Sequence, residues 1–103
     1  MKISTKMTDG VLTVFFNGEL DHSVAETVSH QLDLYLEKVQ PERVVLDMKG
    51  LTFMDSTGVG LIIGRYKKLF AKRVPLGIVN PNPQIDKIIR ISGIYNIIPL
   101  VRC

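Results

Sequence analysis

Asp55-Ser56-Thr57-Gly58 sets a carboxylate, two hydroxyls and a glycine side by side within the apolar stretch "LTFMDSTGVGLIIG". Such a set suits four kinds of chemistry: a serine nucleophile, a phosphate cradle, a helix cap, or a hydroxyl on which another protein acts. A nucleophile needs a base, usually His, and an acid to orient it. The chain offers only His22 and His30, and His30 falls inside a helical run. The strand-to-helix elbow G-x-S-x-G is absent, since Met54 stands where its first glycine would be. Hydrolysis is therefore disfavoured. "GVGLIIG" has the spacing G-x-G-x-x-x-G, and its glycines lie within a helical pattern rather than in the turn before it. That is not a dinucleotide fingerprint, and no Lys-Ser/Thr pair follows as in a P-loop. Gly60 and Gly64 lie one helical turn apart and, with Ala71, give a smooth stripe. Each glycine costs the helix about 1 kcal/mol relative to Ala. Close approach offsets such a cost, with the sheet expected ahead of a partner surface. A second polar cluster, "GELDH", supplies Asp21 and His22.

The elements that must hold these residues follow from periodicity. "KISTKM" alternates as an edge strand does, Asp9-Gly10 suits a tight hairpin, and "VLTVFFN" is a β-rich second strand closed by Gly18. Ser23 and Glu26 fit a capping box at the start of a helix. Its apolar face is Val24, Val28, Leu32, Tyr35, Leu36 and Val39, and Pro41 stops it near Gln40. "RVVLDM" reads as a buried strand broken by Gly50. The next helix presents Val59, Ile62, Ile63, Tyr66 and Phe70, with Arg65, Lys67, Lys68, Lys72 and Arg73 complementing the dipole at its C-terminal half. "LGIVN" is a strand, "QIDKIIRIS" a third helix stopped at Gly93, and "NIIPLV" a last short strand limited to an edge by Pro99.

The order β-β-α-β-α-β-α-β predicts an α/β fold: a single domain with a mixed, mostly parallel sheet, an N-terminal hairpin and helices packed against it. In open α/β sheets ligands and partners gather at the carboxyl ends of strands. The polar knot should therefore be exposed at a helix N-terminus, capped by either Asp55 or Ser56. Asp21 reads either as a loop acid or alternative cap, or as a residue facing that knot, since both clusters follow a strand and precede a helix.

Composition bounds the rest. The 103 residues suit one domain, with 46% hydrophobic residues for a core and an ordinary 22% charged. A net charge of +3 without a basic run among aromatics does not argue for nucleic acid. The one cysteine, Cys103, forms neither an internal disulfide nor a thiolate metal cluster. "MKISTKMTDG" lacks the apolar run of a signal peptide, and "VGLIIG" is too short to span a bilayer. The expectation is a soluble cytoplasmic protein with no membrane partner and no cofactor.

"GELDHSVAETV", "LTFMDSTGVGLIIGRYKKL" and "ISGIYNIIPL" together resemble the STAS family, the domain shared by sulfate transporters and anti-sigma factor antagonists. The similarity covers nearly the whole chain. The "FMDS[ST]G" core resembles the antagonist branch, and "GRYK" and "LDH" the sporulation antagonists of the anti-sigma F kinase. The resemblance implies a regulatory switch without catalytic residues. Ser56 would be phosphorylated by an anti-sigma factor serine kinase and reset by a serine phosphatase. The unphosphorylated form would bind the anti-sigma factor and release the sigma factor. Asp21, His22, Asp55, Ser56, Thr57, Gly58 and Gly60 would form the partner surface. Thr57 replaces the usual second serine. The resemblance also implies a further C-terminal helix, which the sequence up to Cys103 does not contain. An alternative is a STAS domain that binds a small anion or nucleotide at the Asp55–Gly58 helix N-terminus. In either case free N–H groups at that terminus would welcome a phosphate.

Overall fold

The computed structural model describes residues 1–101, so the termination at Cys103 lies outside the described residues. Strands β1 (Lys2–Thr8), β2 (Val11–Leu20), β3 (Arg43–Met54) and β4 (Leu76–Val79) form one four-stranded sheet in the order β1-β2-β3-β4. β1 pairs antiparallel with β2, and the β2–β3 and β3–β4 pairs are parallel. Helices α1 (His22–Val39), α2 (Ser56–Ala71) and α3 (Pro83–Ser92) supply the remaining layer. This is the expected α/β class, with its hairpin and mostly parallel sheet. Asp9 (φ 52°) and Gly10 (φ 81°) are both left-handed, as a two-residue turn between twisted strands requires.

The core is one cluster. Leu12, Val14 and Phe16 of β2 and Val44, Leu46 and Met48 of β3 pack with Val28 and Leu32 of α1, Ile62 of α2 and Ile85 and Ile89 of α3. Burying a large aliphatic side chain is worth about 1.5–3 kcal/mol. Among the described residues no helix is long and apolar enough to cross a membrane.

Four sequence expectations need correction. First, Gly18 and Gly50 do not end their strands. The β2–β3 register shifts between Phe15 and Asn17 and again between Gly18 and Glu19, so β3 carries an extra residue at each place. Buried positions on β3 accordingly run 44, 46, 48 and then 51 and 54. A Cβ at Gly50 would overlap the Asn17 side chain and lie 2.6 Å from the Phe16 carbonyl oxygen, so glycine permits the bulge rather than breaking the strand. Asn82, the N-cap of α3, donates its side-chain amide to the carbonyl of Leu51 at 2.8 Å, which satisfies the bulged backbone.

Second, the buried side of α2 is Gly58, Leu61, Ile62 and Leu69, whereas Phe70 is 68% exposed. Ile62 is fully buried and Val59, Ile63 and Tyr66 pack partly buried against the core, so Phe70 alone falls outside the expected face. Third, a Cβ added at Gly60 or Gly64 would meet no atom within 4 Å. The sheet does not approach these glycines; their side of the helix is open. Fourth, the expected last strand is a 3-10 turn at Ile94–Asn96 followed by one parallel bridge between Ile78 and Leu100. Gly93 (φ 83°) ends α3 in the left-handed conformation, and Pro99 has no N–H to extend a ladder. Tyr95 closes this turn onto α3 by donating its hydroxyl to Asp86.

Arg65 and Lys68 do more than complement the α2 dipole. Their charged groups lie 3.3 and 2.8 Å from the carboxylate of Asp33 on α1. Arg65 Nε is within ion-pairing distance but not aligned for a hydrogen bond.

Candidate functional site

Two loops at the carboxyl ends of neighbouring parallel strands carry the polar clusters. One joins β2 to α1 and the other β3 to α2. Each reads apolar residue, then Asp, then helix: Leu20-Asp21 and Met54-Asp55. Each Asp is the N-cap of its helix, with extended backbone. Asp21 Oδ1 accepts the Ser23 N–H at 3.0 Å and the Ser23 hydroxyl at 2.6 Å. The Ser23 hydroxyl, helped by the backbone N–H groups, holds the Asp21 carboxyl below the usual carboxylate range, against a desolvation effect that raises it. The capping box at Ser23 and Glu26 is therefore displaced: α1 starts two residues earlier than that box implies, and Ser23 is a donor to the true cap. Asp21, the alternative cap, is that cap.

Asp55, rather than Ser56, caps α2. Its Oδ1 accepts the Thr57 and Gly58 N–H groups at 3.0 and 3.1 Å. Its Oδ2 accepts the N–H of His22, from the other loop, at 3.0 Å. The Asp55 N–H in turn reaches the Leu20 carbonyl at 3.4 Å. The two loops thus meet, as their parallel positions suggested. Sequence reasoning missed the link between Asp55 and the His22 backbone. The repeated apolar-Asp pattern was the available signal for paired caps, but a contact made by a backbone N–H leaves no trace in side-chain types.

The sequence-predicted residues are distributed as follows. Ser56, His22 and Gly60 are exposed, Asp21, Asp55 and Thr57 are partly exposed, and Gly58 is buried. A Cβ on Gly58 would stand 2.7 Å from both the Leu20 carbonyl oxygen and Met54 Cγ, so its bare face is turned inward. The expectation of free N–H groups at the α2 N-terminus is corrected for Thr57 and Gly58. Those of Thr57 and Gly58 already belong to Asp55, so an anion there would have to displace a carboxylate from them. The Ser56 side chain instead faces solvent beside a negative group. An apolar groove bordered by Tyr66, Phe70, Val74, Pro75 and Ile97 lies at the other end of α2. Ser56 and Phe70 are about 21 Å apart along the axis at 1.5 Å per residue.

A four-stranded mixed sheet with capped helices rising from adjacent parallel strands, and a serine exposed directly after the cap, defines a class. The chain belongs to the STAS domain family, whose model matches residues 2–102. It is 37% identical over 100 residues to the anti-sigma F factor antagonist of Paenibacillus polymyxa, covering 97% of this chain and 86% of that one. The unphosphorylated form of the anti-sigma factor antagonist SpoIIAA superposes with a TM-score of 0.70 at 27% identity, covering 87% of this chain and 83% of that chain. The phosphorylated form of SpoIIAA, described as a Bacillus cell fate determinant, gives 0.73 at 26% identity, covering 98% and 92%.

Proposed function

We propose that this chain is an anti-sigma factor antagonist of the sporulation type, switched by phosphorylation of Ser56. Its unphosphorylated form binds an anti-sigma factor that is also a serine kinase and thereby releases the sigma factor. Phosphorylation of Ser56 by that kinase ends the complex, and a serine phosphatase restores it. Such partners work in the cytoplasm. The observation that carries this reading is the exposed Ser56 hydroxyl, placed directly after a cap that has already taken the neighbouring N–H groups. The relatives named above, one of them known in a phosphorylated form, support it.

The electrostatics supply a mechanism. A phosphoserine adds about −1.5 to −2 charges. With Thr57 and Gly58 committed to Asp55, that charge projects outward next to a carboxylate. A partner seated on the loop would have to bury it, and an uncompensated buried charge costs about 3–5 kcal/mol. Each 1.4 kcal/mol is a factor of about ten in affinity, so several hundredfold weaker binding follows with no change in the backbone.

The test is to mix the chain with its cognate anti-sigma kinase and ATP and to measure intact mass and complex formation. The wild-type chain should gain one phosphate and leave the complex. Ser56→Ala should gain none and remain bound, and Thr57→Ala should still be modified. Full phosphorylation of Ser56→Ala would refute the assignment. Saturable binding of a nucleotide or small anion with no effect of the kinase would replace this reading with the ligand-binding alternative.

A further inference from the structure

We propose that Asp55 is a positioning residue: its carboxylate locks the start of α1 to the start of α2, so that the two loops present one surface around Ser56. The inference rests on the reading of that surface as the docking site. An ordinary N-cap needs one acceptor oxygen, and Ser, Thr, Asn or Asp serve almost equally well. Capping of α2 uses only Oδ1 of Asp55. Oδ2 is spent on the N–H of His22, 33 residues away in sequence. That N–H belongs to the first turn of α1 and has no partner within its own helix. The cap of α1, Asp21, is occupied with Ser23. A carboxylate is the side chain with two acceptor oxygens and no donor, so it alone serves both helices at once.

The main chain reinforces the joint. Asp55 N–H reaches Leu20 O, and Gly58 lies against the same carbonyl with no room for a side chain. Leu20, Asp55 and Gly58 thus bring the acceptor serine, one residue past Asp55, to a fixed place beside His22. A kinase or anti-sigma factor that touches both loops meets them already arranged, and ordering costs that would fall on binding are absent.

Asp55→Asn isolates this role. Asn keeps an oxygen for the Thr57 and Gly58 N–H groups and remains a good cap, but it turns an NH2 toward the N–H of His22. We expect amide exchange of His22 in the 103-residue chain to accelerate about tenfold, the equivalent of one lost hydrogen bond. Exchange at Thr57 and Gly58 should change little. With the cognate kinase, KM for the variant should rise about tenfold, by the same arithmetic, more than kcat falls. Unchanged exchange at His22 would show that the joint does not exist in solution. Faster exchange with KM within twofold of wild type would show a joint without a role in docking; either result overturns the proposal. Should the wild-type chain neither bind nor accept phosphate from that kinase, the functional reading fails and the docking role fails with it. The His22 exchange would still decide whether Asp55 joins the helices.

Discussion

The Tyr95 hydroxyl donates to Asp86 Oδ1 at 2.6 Å, and Arg90 lies over the Tyr95 ring at 5.2 Å while its guanidinium reaches Asp86. This clasp fastens the turn after α3 to the helix itself. The Tyr95 hydrogen bond, and then Arg90, hold the Asp86 carboxyl below its ordinary range, while desolvation opposes them. Burial first, and the Asp86 bond second, push Tyr95 up from 10.0 to about 12.

The clasp should impose pH dependence at both ends. A carboxyl lowered on folding stabilises the fold above its unfolded value, and that stability is lost as pH falls through the folded one. A tyrosine raised on folding stabilises below pH 10.0, and the gain disappears as pH rises through about 12. Urea melts of wild type and Tyr95→Phe across pH should converge at alkaline pH, with the variant showing the flatter alkaline limb. Parallel curves between pH 10.0 and 12 would remove the clasp as a source of stability.

Gly58→Ala should lower stability by about 1–3 kcal/mol, the usual cost of forcing a methyl into occupied space. Here the obstacle includes backbone, the Leu20 carbonyl. Thermal melting should fall by about 4–8 °C per kcal/mol for a domain of this size. An unchanged melting temperature would mean that the two loops separate more easily than their contacts indicate.

Gly60→Ala and Gly64→Ala should do the reverse. Both positions open onto free space, so Ala should stabilise the isolated domain by about 0.8–1.0 kcal/mol at each site through helix propensity alone. On the proposed function the same changes should weaken the complex with the anti-sigma factor, because a partner can use the bare backbone for close approach. A gain in melting temperature with unaltered affinity would take this side of α2 out of the interface.

Asp33→Ala should cost about 1–3 kcal/mol, because it takes the counter-charge away from Arg65, whose side chain is only 13% exposed. Lys68→Ala removes a 56% exposed partner of the same carboxylate and should cost under about 1 kcal/mol. Denaturant midpoints of the two variants give the comparison. Equal losses would show that Arg65 finds other partners once Asp33 is gone.

Where local pattern decided the outcome, the sequence was readable. The Asp9-Gly10 turn, the α1 face from Val28 to Leu36 and the stop of α3 at Gly93 each rest on residues adjacent in the chain. The misreadings concern choices that tertiary contacts settle. Gly50 looks like a breaker until Asn17 and Phe16 are known to press on it. Phe70 matches the helical period as well as Leu69 does, and only the position of α1 and the sheet decides which is covered. Ser23 and Asp21 both qualify as caps by type, and the carboxylate nearer the strand end won. At the candidate site, the exposed hydroxyl after Asp55 was legible, whereas the division of that carboxylate between two helices depends on a fold-level juxtaposition.

Helices α1 and α2 are joined near both ends, by Asp55 with His22 at their starts and by Asp33 with Arg65 and Lys68 farther along. A pair tied twice resists both splaying and sliding. For a partner that settles across them, recognition then needs no slow rearrangement before contact. Association should run at an ordinary rate for two preformed surfaces, about 10⁵–10⁷ M⁻¹s⁻¹, and differences among variants should appear as changes in residence time.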